Sequence, residues 1–244
     1  MKLFAGPCLL ESDDDAFLVA ETITRSIPKG VDYYFKASFD KANRSSIHSF
    51  TGNGIEFATN IFQELRDSGY KVITDVHEVH HVELMMNYVD AFQVPAFLSR
   101  QNSLLEACAR SGKLVNVKKG QFMSPRQAML LGQKMELWGC KEYYICERGT
   151  SFGYDNLVVD FRTIKKLKDE RYPVSFDATH STQEGGGATT GGNWRYAEPL
   201  AKSALIWGAD ALFFETHPDP SRAKSDVDCQ IPLSVFPSIL NRIL

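Results

Sequence analysis

Short apolar runs alternate with longer amphipathic stretches from one end of the chain to the other, with no linker and no low-complexity tract between them. Strands are predicted at Leu3–Leu10, Asp32–Ser38, Lys71–Val76, Ala91–Ala96, Leu114–Lys118, Glu142–Cys146, Val174–Ala178 and Ala211–Thr216. Between them, apolar residues recur at helical spacing over Asp14–Ser26, Gly54–Ser68, Glu78–Tyr88, Ser103–Ser111, Pro125–Trp138, Phe161–Glu170, Tyr196–Trp207 and Leu233–Leu244. Gly69, Gly112, Gly139 and Gly208 stand where a helix should end. Ser124-Pro125 supplies an N-cap residue and a first-turn proline to another helix. Eight such units in one domain-sized chain predict an α/β fold, a single (β/α)8 TIM barrel over residues 1–244. A doubly wound sheet is the alternative, but it seldom needs eight regular units.

A barrel of this kind gathers its chemistry where the strands end, at the C-terminal face. The chemically unusual residues fall there repeatedly. Cys8 closes the first strand, Lys36 and Lys41 the second, and Asp75 and His77 the third. Ser99-Arg100-Gln101 follows the fourth, Lys118-Lys119 ends the fifth and Glu147-Arg148 the sixth. His180 follows the seventh, and Glu215 with His217 ends the eighth.

Composition narrows the partners. The 244 residues are 43% hydrophobic and 23% charged, which suits a folded protein with a sizeable core. A formal net charge of −3 gives no reason to expect nucleic acid or a membrane surface as partner. Basic residues are concentrated locally instead, most of all in Lys36–Ser46, where two lysines and an arginine share a loop with an amide, hydroxyls and Phe39. Charges packed that closely call for an anion among them, and phosphate or carboxylate is the natural one. Lys118, Arg148 and Arg100 add cations at the same barrel mouth, enough for two phosphorylated substrates. Five cysteines without regular spacing argue against a disulfide framework. The N-terminus reaches a turn and then acidic residues too quickly for a signal peptide, and no run is apolar enough for a membrane span, so the expected location is cytoplasmic.

Cys8, His180, Glu215 and Asp226 form a candidate metal site. Thiolate, imidazole and two carboxylates suit Zn²⁺, Fe²⁺, Mn²⁺ or Co²⁺, although only the barrel could bring residues so remote in sequence together. His77-Glu78-Val79-His80-His81 matches the H-E-x-x-H pattern of zinc hydrolases. That run straddles a predicted strand end and helix start, with no third ligand at a familiar spacing, so it is read as helix surface. The glycine-rich run Gln183–Asn193 has no P-loop lysine and does not follow a strand directly. It reads as a lid or a backbone phosphate cradle.

Taken together, the motifs resemble those of the 3-deoxy-D-manno-octulosonate 8-phosphate synthase family. The likeness rests on Lys36–Ser46 followed by Ile47-His48-Ser49-Phe50, on Thr74–Glu78, Asn116–Phe122, Glu147–Thr150 and Asp155–Asp160. It continues through Asp177–Ser181 and Glu215–Pro220, in order and over nearly the whole chain. The resemblance implies a transferase that condenses phosphoenolpyruvate with D-arabinose 5-phosphate and water and releases phosphate, a step of lipopolysaccharide biosynthesis. It implies that Lys36, Lys41, Lys118 and Arg148 hold phosphoenolpyruvate, and that Asn43, Arg44 and Ser45 take the sugar phosphate. Arg100 would reach in from a neighbouring subunit of a homotetramer. Gln121 and Gln183 would contact substrate, and Asp75 and His180 would join the lysines in the chemistry. Members that need no metal carry asparagine where this chain has Cys8, so the resemblance places the chain in the metal-dependent branch, with His180, Glu215 and Asp226 as the other ligands.

Two departures stand out. The usual Arg-Gln-Thr-Asp reads Arg100-Gln101-Asn102-Ser103 here, and Val227-Asp228-Cys229 replaces a segment in which many members have glycine. The chain also begins almost at its first strand, so the N-terminal hairpin with which some members close the barrel base is expected to be missing. The related 3-deoxy-D-arabino-heptulosonate 7-phosphate synthases, which use erythrose 4-phosphate, are the rival within the fold. A non-catalytic barrel that binds metal or sugar phosphate is the rival of another class.

Overall fold

The computed structural model describes residues 1–42, 50–153, 156–185 and 191–244. Strands β1 (Lys2–Gly6), β2 (Asp32–Lys36), β3 (Lys71–Asp75), β4 (Ala91–Val94), β5 (Leu114–Lys118), β6 (Tyr143–Glu147) and β7 (Val174–Asp177) pair in parallel in chain order. After β8 (Gln183–Glu184) and β9 (Gly191–Gly192), β10 (Ala211–His217) pairs with both β7 and β1 and closes the barrel. β11 (Ile231–Pro232) extends the sheet from the end of β10. The helices are α1 (Asp13–Ser26), α2 (Ile55–Asp67), α3 (Val79–Met85), α4 (Asn102–Arg110), α5 (Pro125–Leu137), α6 (Arg162–Asp169), α7 (Ala197–Ile206) and α8 (Phe236–Ile243). The predicted barrel and its order of elements are present.

Local chemistry explains the element ends. Ser12 caps α1 by accepting from the Asp15 amide at 3.1 Å, and three aspartates in the first turn complement the helix dipole. Ser124 and Gln127 form a reciprocal capping box on α5. Four of the strands end one or two residues before their predicted limits, and β1 ends four residues early, because the chain turns away once its side chains reach the mouth. Gly6, the last residue of β1, tolerates no side chain, because a Cβ there would lie 2.1 Å from the Lys36 carbonyl oxygen. α3 is shorter than predicted at both ends. α8 begins at Phe236 rather than Leu233, since the Leu233 amide still pairs with the His217 carbonyl at 2.9 Å. Pro237 then occupies the first turn, where its missing N–H costs nothing.

Two apolar regions hold the scaffold. The larger lies between barrel and helices, and a smaller one fills the barrel's lower interior with Phe4, Tyr34, Ile73, Leu114, Tyr144 and Phe213. At the base, Lys2 and Lys71 both reach Asp32, at 2.7 and 2.6 Å, and lie over the Tyr34 ring. All five cysteines are buried and unpaired by disulfide. No helix among the described residues is long and apolar enough to cross a membrane.

Candidate functional site

Lys36 is the last residue of β2, and its side chain is buried inside the barrel. Its ammonium donates to Glu215 Oε1 at 2.6 Å and to the Cys8 carbonyl at 3.0 Å, and stands 3.9 Å from Asp75 Oδ2. Lys118, the last residue of β5, donates to Asp177 Oδ2 and lies 3.1 Å from the centroid of the Phe213 ring. Inward residues alternate along β10, so Phe213 and Glu215 occupy successive levels of the same face. The ring supports both lysines and the carboxylate above it pairs with one of them.

Asp177 organises a second quarter of the mouth. Its Oδ1 accepts the amides of Thr179 and His180 at 3.0 and 2.8 Å, and its Oδ2 accepts His180 Nδ1 at 2.8 Å as well as Lys118. The His180 ring is thereby oriented with Nε2 3.8 Å from Glu215 Oε2. Burial alone would raise the Asp177 carboxyl pKa, but His180 and Lys118 outweigh it and hold the value well below the ordinary range. Arg148 is buried, its Nη2 donates to Gln183 Oε1 at 3.1 Å, and Nη1 has no protein partner. Beneath it, Glu147 Oε1 accepts the amides of Arg148 and Gly149 at 3.0 and 2.7 Å.

Cys8, Glu215 and Asp226 bring one sulfur and two carboxylate oxygens within 4.8 Å of one another. Among the described residues this is the only group of three or more such side chains close enough to share an ion. Cys8 Sγ donates to Asp226 Oδ2 at 3.0 Å. Asp226 adopts a left-handed conformation with φ 46°, and Gln230 ties its loop down by accepting the Cys8 amide at 3.1 Å and donating to the Ser225 carbonyl at 2.8 Å. Burial, reinforced by Glu215, pushes the Cys8 thiol up, while Lys36, His180 and Lys41 outweigh burial and keep Glu215 low.

The donor set fits a divalent ion. Glu215 Oε2 is buried without a hydrogen-bond partner, a thiol and a carboxylate face it, and His180 presents Nε2 beside it. An isolated buried carboxylate oxygen is costly unless a cation or donor meets it. His180 stands just outside the closest trio, held toward it by Asp177 in the carboxylate–histidine arrangement typical of metal sites.

The other predicted residues are placed as follows. Asp75 accepts from Ser38 and Gln93, and although burial opposes it, Lys36 and Lys41 hold its pKa below the ordinary value. Burial also disfavours the Lys41 ammonium, but Cys8, Glu215, Asp75 and Asp226 prevail and raise its pKa. Gln121 has a buried, unpartnered Oε1. Arg100 is exposed beyond β4, and among the described residues no hydrogen bond or ion pair joins it to these groups. Asn43, Arg44 and Ser45 lie outside the described residues, as do residues 186–190 of the glycine-rich run. Its flanks, β8 and β9, pair antiparallel. The hydrolase pattern is not assembled, since His77 precedes α3 and Glu78 pairs with exposed His80 at 3.2 Å. Asp177 and Gln93 were not singled out as strand-end site residues from sequence. An acid three positions before His180, at the end of a strand, was the available signal for the first.

The DAHP synthetase I family model matches residues 1–242. The 2-dehydro-3-deoxyphosphooctonate aldolase of Glaesserella parasuis is 47% identical over 248 residues, covering 99% of this chain and 87% of its own. The proteins of the same name from Haemophilus influenzae and Shewanella piezotolerans are 46% and 45% identical, with the same coverage.

Proposed function

The chain belongs to the DAHP synthetase I family, and from that premise we propose that it condenses phosphoenolpyruvate with D-arabinose 5-phosphate and water, giving 3-deoxy-D-manno-octulosonate 8-phosphate and phosphate. The shared name of the near full-length relatives favours this acceptor over erythrose 4-phosphate. One structural observation carries the chemistry. Three cations at the mouth, Lys36, Lys118 and Arg148, are at most 5% exposed, and Arg148 Nη1 has no protein partner. Such an arrangement suits a small, multiply charged anion better than solvent does.

In the reaction the methylene carbon of phosphoenolpyruvate forms a bond to the aldehyde carbon of the sugar. Water adds to the adjacent carbon, and the phosphate group leaves that carbon. Arg148, Lys118, Lys36 and Lys41 hold the carboxylate and phosphate of phosphoenolpyruvate, while Gln121 and Gln183 direct it. Fixing both substrates in register supplies much of the rate, up to roughly 7–11 kcal/mol in favourable cases. Lys118 is paired in advance with Asp177, and Lys36 with Glu215 and Asp75, so little reorganisation accompanies the reaction. Asn43, Arg44 and Ser45 are assigned to the sugar phosphate, with Arg100 of a neighbouring copy in a homotetramer. Exposure of Arg100 leaves it open to a neighbouring copy and supports that assignment.

Cys8, His180, Glu215 and Asp226 would hold a divalent ion, Zn²⁺, Fe²⁺, Mn²⁺ or Co²⁺. Such an ion supplies Lewis acidity toward an oxygen of the aldehyde or of water. The location is cytoplasmic and the product feeds lipopolysaccharide synthesis. Phosphate release from phosphoenolpyruvate with arabinose 5-phosphate, before and after chelation, tests the reading with Cys8→Asn alongside. Activity lost on chelation and restored by a divalent metal is expected. Activity indifferent to chelation would sink the metal assignment, and release only with erythrose 4-phosphate would sink the acceptor.

A further inference from the structure

Inside the barrel, below the mouth, a chain of uncharged side chains crosses from β7 to β3. Ser175 Oγ donates to Asn116 Oδ1 at 2.7 Å, and Asn116 Nδ2 donates to Gln93 Oε1 at 2.9 Å. Gln93 Nε2 in turn donates to Asp75 Oδ1, while Ser38 Oγ donates to Asp75 Oδ2. All five residues are buried. A primary amide carries its acceptor and its donors at opposite corners, so the orientation of one amide dictates that of the next. With Ser175 donating, Asn116 must turn its NH₂ toward Gln93, and Gln93 must turn its own NH₂ toward Asp75.

We propose that Asn116 and Ser175 are positioning residues for the condensation, acting through Gln93 to present only donors to Asp75 and so to fix its carboxylate beside Lys36 and Lys41. The inference rests on the condensation proposed above. Neither residue reaches the mouth itself. Without the relay, Gln93 is free to turn its carbonyl oxygen toward Asp75, where two acceptors would oppose each other and favour a protonated carboxyl. The other groups facing Asp75 are Lys36 of β2, Lys41 beyond it and His77, two residues past the end of β3. Cys146 of β6 adjoins Asn116 and Ser175 at the far end of the chain.

Ser175→Ala and Asn116→Asp test the relay in the full-length protein, with kcat, both KM values and the pH profile of kcat/KM measured for each. Loss of the donor orientation should lower kcat about tenfold, the size of one net hydrogen bond to a charged group, and leave each KM within about twofold. Because Asp75 would be protonated more readily, the acid limb of the profile should move to higher pH in both variants. Wild-type kcat and an unmoved acid limb in Ser175→Ala would overturn the proposal. So would a loss of kcat without any displacement of that limb, which damage to the fold alone would produce. Should Asn116→Asp fail to fold, Ser175→Ala decides by itself. If the unaltered protein released no phosphate with arabinose 5-phosphate, the condensation would fall and this inference with it; an active wild type with indifferent variants would remove the inference alone.

Discussion

Replacing Asp177 by asparagine probes the central electrostatic claim, because the two side chains have nearly the same shape and differ in charge. In the folded protein both oxygens of Asp177 are committed. Oδ1 receives the Thr179 and His180 amides, and Oδ2 receives His180 Nδ1 and the Lys118 ammonium. An amide can serve the first pair through its oxygen, but its NH₂ then confronts two further donors. Lys118, 4% exposed, is left with the Phe213 ring as its nearest compensation. Breaking a buried ion pair from one side costs on the order of 3–5 kcal/mol. The ring and the nearby mouth soften this, so about 3 kcal/mol is expected, equivalent in a chain of this size to roughly 6–12 °C in Tm. Phosphate release should fall by on the order of a hundredfold, since Lys118 and His180 both lose their orientation. Denaturant unfolding of D177N, K118M and the double variant at neutral pH provides the assay. If the pair behaves as described, K118M restores much of what D177N loses, because the stranded charge has gone. Asp177 has a depressed pKa in the fold, so its contribution is present above its unfolded value near 3.8 and fades as pH falls below it. A D177N variant within about 1 kcal/mol of wild type, with strictly additive effects in the double variant, would refute the reasoning.

Two further outcomes follow from groups away from that pair. Glu198 is held at about 2 by hydrogen bonds from Arg242 and Lys202, so its contribution is complete above its ordinary value of 4.5 and is lost as pH falls through 2. Glu198→Gln should therefore cost no more than about 1 kcal/mol at neutral pH, because the pairs are partly exposed, and the difference from wild type should shrink in unfolding measured toward pH 2. His81→Ala should leave kcat within about twofold of wild type, because His81 packs against Phe39 with ring centroids 5.1 Å apart and belongs to no ligand group; abolished turnover would revive the hydrolase pattern.

The barrel was legible because its strands and helices carry different periodicities and because glycines sit where helices stop. Gly69, with φ 89°, and Gly139, with φ 77°, do end α2 and α5 as their positions suggested. The candidate site was legible as a set of strand ends, since a closed barrel converts eight separated positions into one ring. What sequence did not reveal is the pairing within that ring. Nothing in the spacing of Lys118 and Asp177, or of Lys36 and Glu215, marks them as partners, because the barrel's shear decides which strand ends face each other. For the same reason Gln93, Asn116 and Ser175 read as ordinary strand residues, each inward-facing on a different strand. The early end of α3 likewise depends on tertiary surroundings rather than on the apolar pattern of Glu78–Tyr88.

The pairing changes how the mouth should be understood. A loop of basic residues suggests a positive surface waiting for an anion, yet Lys36 and Lys118 already have carboxylates within hydrogen-bonding distance. Asp177 and Glu215 meet these ammonium groups with hydrogen bonds, and the Phe213 ring lies against both from beneath. Among the described residues, the buried side-chain atoms without a hydrogen-bond partner include Arg148 Nη1, Gln121 Oε1 and Glu215 Oε2. An anion finds a donor at Arg148, a hydroxyl or water finds an acceptor at Gln121, and a cation finds one at Glu215. A non-catalytic phosphate binder would need only the first of these. Arg148 and Glu215 border one cluster of buried charges, and a two-substrate condensation asks several things of so small a space, since bond formation, addition of water and departure of phosphate each place a different demand on it.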